Sequence, residues 1–406
     1  MHEKVNILGV NITKITKKEV LEFVERFIED NEQHLPAKAL QIVTANPEII
    51  LCAIRHDEEY FHILNNADLA IPDGVGLKFA TWLRGKNIRR TTGADLVQDL
   101  LKLAERKKEK VLILSWKKGL SSSEKIEKTL NKLYPNLKFL IIDLERGDNH
   151  ININQINTFQ PVQIFCTLGA PFQDKMIFYS LPKIPSARIG IGVGGSFDFL
   201  TKKIIRAPRA LRTAGLEWAW RLYQQPKRWK RIYSAVFVFT FEFLKWGFIL
   251  PLLYRSNVAC LLYKKEGDKY KILLVERADE KNHWQLPQGG TDGEDIKVAG
   301  TRELSEELNC DKFKVVGVYK SLHKYKFGEK IGKFGVFAKK ELGYKGQKQC
   351  LIIAEFEGQD RDIKVNFWEH QGWKWVRSED YVNEVHECRK EAGKKYYEKF
   401  KNIIQE

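Results

Sequence analysis

Three carboxylates, Glu303, Glu306 and Glu307, fall at i, i+3 and i+4 in the run Arg302-Glu-Leu-Ser-Glu-Glu307. On a helix that spacing sets all three on one face. Negative charges so gathered are unfavourable without cations. Hard oxygen donors suit Mg2+ or Mn2+, and those ions suit a phosphate substrate. The turn Gly289-Gly290-Thr-Asp-Gly-Glu294 precedes the run, with seven residues between Glu294 and Arg302. The chemistry implied is metal-assisted attack on a phosphate, confined to the last third of the chain.

A second set of polar residues follows short apolar runs in the first half. It comprises Thr44-Ala-Asn46-Pro-Glu48, Pro72-Asp73-Gly74, Arg90-Thr-Thr-Gly93-Ala-Asp95, Gly169-Ala-Pro-Phe-Gln173-Asp174 and Gly192-Val-Gly-Gly-Ser-Phe-Asp198. A nucleotide-sugar site needs amides and Arg for the diphosphate, Asn and Gln for hydroxyls, and one Asp to deprotonate an acceptor. The segment at Gly93 opens a helix whose first amides suit a phosphate. Each glycine taken alone is a turn residue first.

These residues need strands to hold them. Apolar runs at 40–44, 111–114, 139–143, 163–168 and 188–193 read as buried strands, separated by helical stretches such as 94–107 and 122–134. That alternation predicts an α/β layered domain with a largely parallel sheet, whose ligands sit beyond the carboxyl ends of the strands. Beyond residue 254 the pattern changes to α+β. A hairpin is expected from 257–263 and 270–275, then the carboxylate helix, strands at 313–319, 333–339, 350–356 and 373–376, and a charged helix at 384–404. Trp373 and Trp375 would lie on one side of a strand, as core or as a platform for a base.

Between these domains, 201–233 interleaves basic residues with Trp218, Trp220, Tyr223 and Trp229, and 235–253 is almost wholly apolar. The apolar stretch approaches the roughly 20 residues that a bilayer requires. Glu242 and Lys245 lie within it, each costing about 2.5–3.5 kcal/mol at the bilayer centre. A helix lying in the membrane interface or packed on the first domain is the preferred reading, with a buried interdomain helix as the rival. The chain divides accordingly into 1–200, an appendage and linker at 201–253, and 254–406.

At 406 residues, 43% hydrophobic and 12% aromatic, the chain is globular and long enough for two domains. A net charge of +16 favours anionic partners: nucleotides, nucleic acid or an acidic membrane surface. The six cysteines form no C-x-x-C pair, which argues for reduced core thiols and against a zinc site. The first residues carry no apolar stretch, so no secretory signal is expected.

Residues 255–404 resemble the Nudix hydrolase family, whose box reads G-x5-E-x7-R-E-U-x-E-E-x-G-U with U apolar. Two departures stand: the loop between Gly289-Gly290 and Glu294 is one residue short, and Asn309 replaces the glycine after the helix. Asn tolerates the left-handed conformation needed there. The resemblance implies that Glu303, Glu306 and Glu307 bind Mg2+ or Mn2+, with Glu307 also catalytic, and that Glu294 and Arg302 brace the turn and helix with Gly289 and Gly290. Trp284-Gln-Leu-Pro-Gln-Gly-Gly290, Asp360-Arg-Asp-Ile-Lys-Val365 and Glu369-His-Gln-Gly-Trp-Lys-Trp375 look like the subgroup cleaving dinucleoside polyphosphates or RNA 5′-pyrophosphates, with Asp362 as an extra ligand or base.

The first-domain motifs, with Arg206-Ala-Pro-Arg209, Gly215-Leu-Glu-Trp218 and Pro226-Lys-Arg-Trp-Lys-Arg231, resemble the WecG/TagA/CpsF glycosyltransferase family over about 5–245. The resemblance implies a Rossmann-like domain that transfers an N-acetylmannosamine-type sugar, with inversion, from a UDP donor to a polyprenyl-diphosphate-linked acceptor for cell-surface polysaccharide. No metal is required for that step. Asp73 would be the general base. Thr44, Asn46 and Gln173 would position sugar or base, and Arg90 would stabilise departing UDP. Arg212, Arg221 and Arg228 would grip a diphosphate. Leu114-Ser115-Trp116-Lys117 departs from a glycine-containing loop of relatives.

The expectation is a bifunctional enzyme, cytoplasmic and peripheral on the inner face of the cell membrane, in which a homo-oligomer is allowed. Its second domain either removes a nucleotide by-product or only shares the polypeptide. Two other classes compete: one domain serving as a non-catalytic binding or regulatory module, and nucleic-acid binding through the basic charge, which predicts salt-dependent RNA affinity.

Overall fold

Runs such as Val111-Leu-Ile-Leu114 are apolar at every position, the pattern of a strand covered on both faces. In the computed structural model, Val111 and Ile113 enter one core and Leu112 and Leu114 another, on opposite sides of the same strand. The structure describes residues 2–31, 38–83, 85–86, 88–89, 91–148, 151–327 and 343–405. The chain forms two compact units, Met1–Leu244 and Lys245–Glu406.

In the first unit a hairpin of β1 (Lys4–Ile7) and β2 (Val10–Thr13) precedes the strands β3 (Leu40–Ala45), β4 (Leu69–Pro72), β5 (Lys110–Trp116), β6 (Lys138–Leu144), β7 (Gln163–Cys166) and β8 (Ile189–Gly192). The latter six form one sheet in the order β4-β3-β8-β7-β5-β6. Every pairing in it is parallel. The carboxyl ends of β3, β4, β7 and β8 therefore open on one edge, where the polar motifs fall. The hairpin has no counterpart in the sequence reading; the Thr13 hydroxyl accepts from Ala70 N at 3.0 Å and ties it to β4.

The segment 201–244 lies within this unit. Its helices are Arg209–Thr213 and Glu217–Gln224, followed by a helical run of α and wider turns from Trp229. Along that run Phe239 and Phe243 are buried, while Tyr233, Phe237 and Phe241 are exposed. Glu242 Oε1 lies 3.9 Å from Arg55 on the helix Pro47–His56.

The second unit carries β9 (Tyr254–Glu266), β10 (Lys269–Arg277), β11 (Trp284–Gln285), β12 (Gln288–Gly290), β13 (Phe313–Lys326), β14 (Gly346–Phe356) and β15 (His370–Arg377). The order β11-β10-β9-β14-β13 is extended by β12 on β9 and β15 on β10, and β9 pairs with β14 in parallel. Gly267, with φ +63°, takes the tight β9–β10 turn that a side chain would strain. The helix Ile296–Leu308 packs Ala299, Leu304 and Leu308 on one sheet face. The terminal helix Lys390–Gln405 packs Tyr396 and Phe400 on the other. The strand expected at 333–339 lies outside the described residues.

Candidate active sites

The carboxylate helix begins at Asp295, whose side chain accepts from Lys297 N at 2.9 Å. It ends at Asn309, which is left-handed at φ 47° and ψ 41°. There Asn309 Nδ2 also donates to the Lys364 carbonyl at 2.7 Å, a bond glycine has no atoms to make. Arg302 is the hub of the box. Its Nε donates to Glu294 at 3.0 Å and Nη2 to the Gly290 carbonyl at 3.0 Å. Its Nη1 reaches Glu303 at 3.0 Å and Glu306 at 2.9 Å. Burial acts against the guanidinium charge, but Glu294, Glu303 and Glu306 outweigh it and hold Arg302 above its ordinary pKa. The one-residue-shorter loop thus still delivers Glu294 to Arg302.

The three carboxylates differ in setting. The Glu303 and Glu307 side chains retain only 12% and 5% exposure, whereas Glu306 retains 60%. Glu307 accepts from Gln288 N at 3.2 Å and lies 2.9 Å from His370 Nε2. The other ring nitrogen of His370 is buried with no hydrogen-bond partner among the described residues. His370 falls in the Glu369–Trp375 stretch of the subgroup motif, but no role was expected for it, since its partner Glu307 lies 63 positions away. Two carboxylates largely withdrawn from water beside a third form a hard-oxygen donor set that fits a divalent ion.

Asp362 has its contacts in a separate turn. Its carboxylate accepts from Gln359 N at 2.8 Å and pairs with Lys312 at 3.0 Å, capping a short 3-10 turn. Those contacts hold it below its ordinary pKa. Trp375 is held by Asp360 at 3.0 Å, Phe356 at 5.6 Å and the Lys264 ammonium at 4.7 Å. Trp373 stands edge-on to it at 6.4 Å, and both pack on the core beneath the helix.

In the first unit, Asp73 follows β4 and its own N–H bonds to Ala45 O at 2.7 Å. Its Oδ2 accepts from Gly93 N at 3.2 Å, the first residue of the helix Gly93–Lys107. The helix amide expected to meet a phosphate therefore holds the carboxylate. A Cβ on Gly93 would meet Thr44 Cγ2 at 3.3 Å and Asp73 Oδ2 at 3.4 Å, so these three residues are in contact.

The remaining first-unit residues also make contacts within the protein. The Thr44 hydroxyl donates to Gly192 O at 3.0 Å, joining β3 to β8. Asn46 Oδ1 caps the helix Pro47–His56 by accepting from Ile49 N at 2.9 Å, leaving its amide nitrogen for a ligand. Gln173, only 2% exposed, accepts from Gly194 N at 2.9 Å and braces the glycine turn from behind. Arg206 donates to Thr92 at 3.1 Å and Asp95 at 3.0 Å, tying the Arg206-Ala-Pro-Arg209 motif to the helix start. Arg90 lies outside the described residues.

Cations dominate this edge. Burial lowers the Arg221 pKa while Asp73 opposes the shift. Burial, then Arg231 and Arg221, brings Arg228 down to about 10. Burial and then Arg231 also lower Arg146. Four guanidiniums thus share one field. The Nε atoms of Arg212 and Arg221 are buried without a hydrogen-bond partner among the described residues. Arg146 was missed in the sequence: it follows β6, bonds to Leu168 O at 2.7 Å and stacks 3.8 Å from the Trp116 ring. Trp116 is the last residue of β5.

Residues 5–250 match the family described as glycosyl transferase WecG/TagA/CpsF, and residues 253–400 match the NUDIX domain. The N-acetylglucosaminyldiphosphoundecaprenol N-acetyl-beta-D-mannosaminyltransferase of Bacillus subtilis is 33% identical, over 51% of this chain and 81% of that protein. The Staphylococcus aureus (strain MRSA252) protein of the same name is 31% identical, over 56% and 87%. An RNA pyrophosphohydrolase of Wolbachia pipientis is 35% identical, over 37% of this chain and 91% of that protein. Nudix hydrolases generally use a divalent metal, in keeping with the carboxylate helix. The chain is an enzyme of the WecG/TagA/CpsF glycosyltransferase family that also carries a Nudix pyrophosphohydrolase domain.

Proposed function

We propose that the first unit transfers an N-acetylmannosamine-type sugar from UDP to a polyprenyl-diphosphate-linked N-acetylglucosamine, with inversion, on the inner face of the cell membrane. The observation that carries this reading is Asp73, fixed by Gly93 N at 3.2 Å and lying in the field of Arg221. Asp73 takes the acceptor hydroxyl proton as that oxygen bonds to the anomeric carbon. The bond from that carbon to the UDP oxygen breaks on the opposite face, and its electron pair leaves with UDP. Arg221 and Arg228 offset the charge gathering on the diphosphate, a task for preorganised donors.

In the second unit the reading is hydrolysis of a nucleotide pyrophosphate, of the RNA 5′-end or dinucleoside polyphosphate class, with Mg2+ or Mn2+. Glu303, Glu306 and Glu307 would hold the ions, which supply charge neutralisation and an activated water. Arg302 positions the helix against Gly290, and His370 orients Glu307.

The test incubates the full chain with UDP-N-acetylmannosamine and a short-chain diphospholipid-N-acetylglucosamine, comparing wild type with Asp73→Asn. Disaccharide-lipid from wild type alone supports the transferase and its base. Equal product from both removes Asp73 from that role.

A further inference from the structure

The loop after β10 and the turn before the terminal helix bring together two imidazoles and a thiol that neither reaction uses. One ligand atom each from His283, His386 and Cys388 lies within 4.8 Å of the others. Cys388 Sγ is 3.1 Å from His386 Nδ1 and 3.9 Å from His283 Nε2. The two rings stack at 4.0 Å, inclined by 9°.

One carboxylate stands behind both rings and hydrogen-bonds that of His283. Glu280 Oε2 lies 2.6 Å from His283 Nδ1, and Glu280 Oε1 lies 3.8 Å from His386 Nε2. Protons on those outer nitrogens leave His283 Nε2 and His386 Nδ1 with lone pairs beside the thiol. The Cys388 amide donating to His386 Nδ1 at 3.4 Å is consistent with that tautomer. A carboxylate behind a ligating histidine is the usual outer support of a metal site.

We propose that His283, His386 and Cys388 bind one borderline-soft divalent cation of the Zn2+ type, with Glu280 orienting His283 and water in the fourth position. Donors around a tetrahedral zinc ion lie about 3.4–3.6 Å apart at ordinary bond lengths. The observed sulfur–nitrogen distances of 3.1 and 3.9 Å bracket that separation, and metal binding turns one of the near-parallel rings so that both lone pairs meet the ion. Binding forms a thiolate–metal bond and releases the Cys388 proton to solvent. Two imidazole nitrogens and a thiolate make a softer donor set than the all-oxygen carboxylate helix, so the two sites select different ions. Because His386 N also bonds to Trp284 O at 2.9 Å, the ion would fasten the start of the terminal helix to the sheet. Sequence inspection misses the cluster because Cys388 stands 105 positions from His283.

The test uses the full chain, stripped with a chelator and titrated with Co2+, whose thiolate charge-transfer band reports cysteine ligation. Zn2+ affinity is then read by competition with a chromophoric chelator. One equivalent with the band is expected in wild type and in Glu306→Gln, and no band in Cys388→Ser. Glu280→Gln should weaken Zn2+ by roughly 10- to 100-fold. A wild type without the band overturns the proposal, whatever the variants do. So does Zn2+ binding that survives Cys388→Ser but is lost in Glu306→Gln.

Discussion

Glu303 Oε2 lies directly against the Cα of Gly289: a Cβ built on that glycine would stand 1.8 Å from the oxygen and 1.9 Å from Cδ. The backbone of β12 is therefore the wall that fixes where one carboxylate of the Nudix box sits. Arg302 closes the same arrangement by bonding Gly290 O at 3.0 Å and Glu303 at 3.0 Å.

Gly289→Ala must displace Glu303 by more than an ångström, because strand backbone yields less readily than a side chain. A misplacement of about 1 Å costs on the order of 100-fold in rate. Pyrophosphate hydrolysis should fall by about that factor, with disaccharide-lipid synthesis unchanged in the same preparation. Hydrolysis within twofold of wild type would show that Glu303 need not occupy this position.

The parts of this molecule legible in sequence are those with local signatures. The parallel strands declared themselves as unbroken apolar runs, and the Glu294–Arg302 pair, implied by the resemblance to the Nudix box, is present at 3.0 Å. Asn309 could be placed at the helix end from its own tolerance of left-handed backbone. Long-range partners carried no such signal. His370 behind Glu307, Arg146 on Trp116 and the Thr92–Arg206 bond become visible only when the sheets bring distant segments together. Motif position likewise gave no sign of the protein contacts these side chains make: Gln173 accepts from Gly194 N across the sheet edge, and Asp362 accepts from Gln359 N in its own turn.

Arg221 is a half-buried cation whose Nε lacks a protein partner among the described residues, so a diphosphate would meet a donor already desolvated. Hydrogen bonds to charged groups contribute about 1.5–3 kcal/mol. Arg221→Gln should therefore raise the UDP-sugar KM by roughly 10- to 100-fold. Arg221→Lys should recover only part of this, since an ammonium lacks the planar fork. Donor titrations at fixed acceptor decide it; an unchanged KM with lowered kcat would move Arg221 from donor binding to the transition state alone.

Asp174 is fully buried, with Tyr60 OH donating to Oδ2 at 2.7 Å, and burial raises its pKa to about 6. The native carboxyl keeps its proton where the unfolded one, near 3.9, has lost it. Between those values the native state binds more protons, so this group's contribution to stability falls as pH rises and levels off above about 6. The full effect is at most about 3 kcal/mol at 1.4 kcal/mol per unit. Asp174→Asn keeps an acceptor for Tyr60 and removes the slope. Urea unfolding of the full chain at pH 4.5 and 7.0 should show wild type losing stability relative to the variant. Parallel pH dependence in the two proteins excludes Asp174 as its source.

Pro226–Leu252 forms 27 helical residues, long and apolar enough by composition to cross a membrane. The distribution along it favours lying on the surface instead. Tyr233, Phe237 and Phe241, spaced by four, are 54%, 62% and 62% exposed, while Phe239 and Phe243 are buried in the first unit. Glu242 reaches Arg55 of that unit at 3.9 Å, which a spanning helix would have to break. The helix Val75–Trp82 adds exposed Phe79 and Trp82. An aromatic stripe above Lys227 and Lys230 suits insertion to headgroup depth beside anionic lipid. Burying a Phe is worth about 1.5–3 kcal/mol, and partial insertion a fraction of that. Phe237→Ser with Phe241→Ser should weaken cosedimentation with anionic vesicles by at least about tenfold, leaving Nudix turnover in solution unchanged. Undiminished cosedimentation would remove the stripe as the contact. Wild-type protein that stays with membranes through alkaline carbonate extraction would instead establish a span.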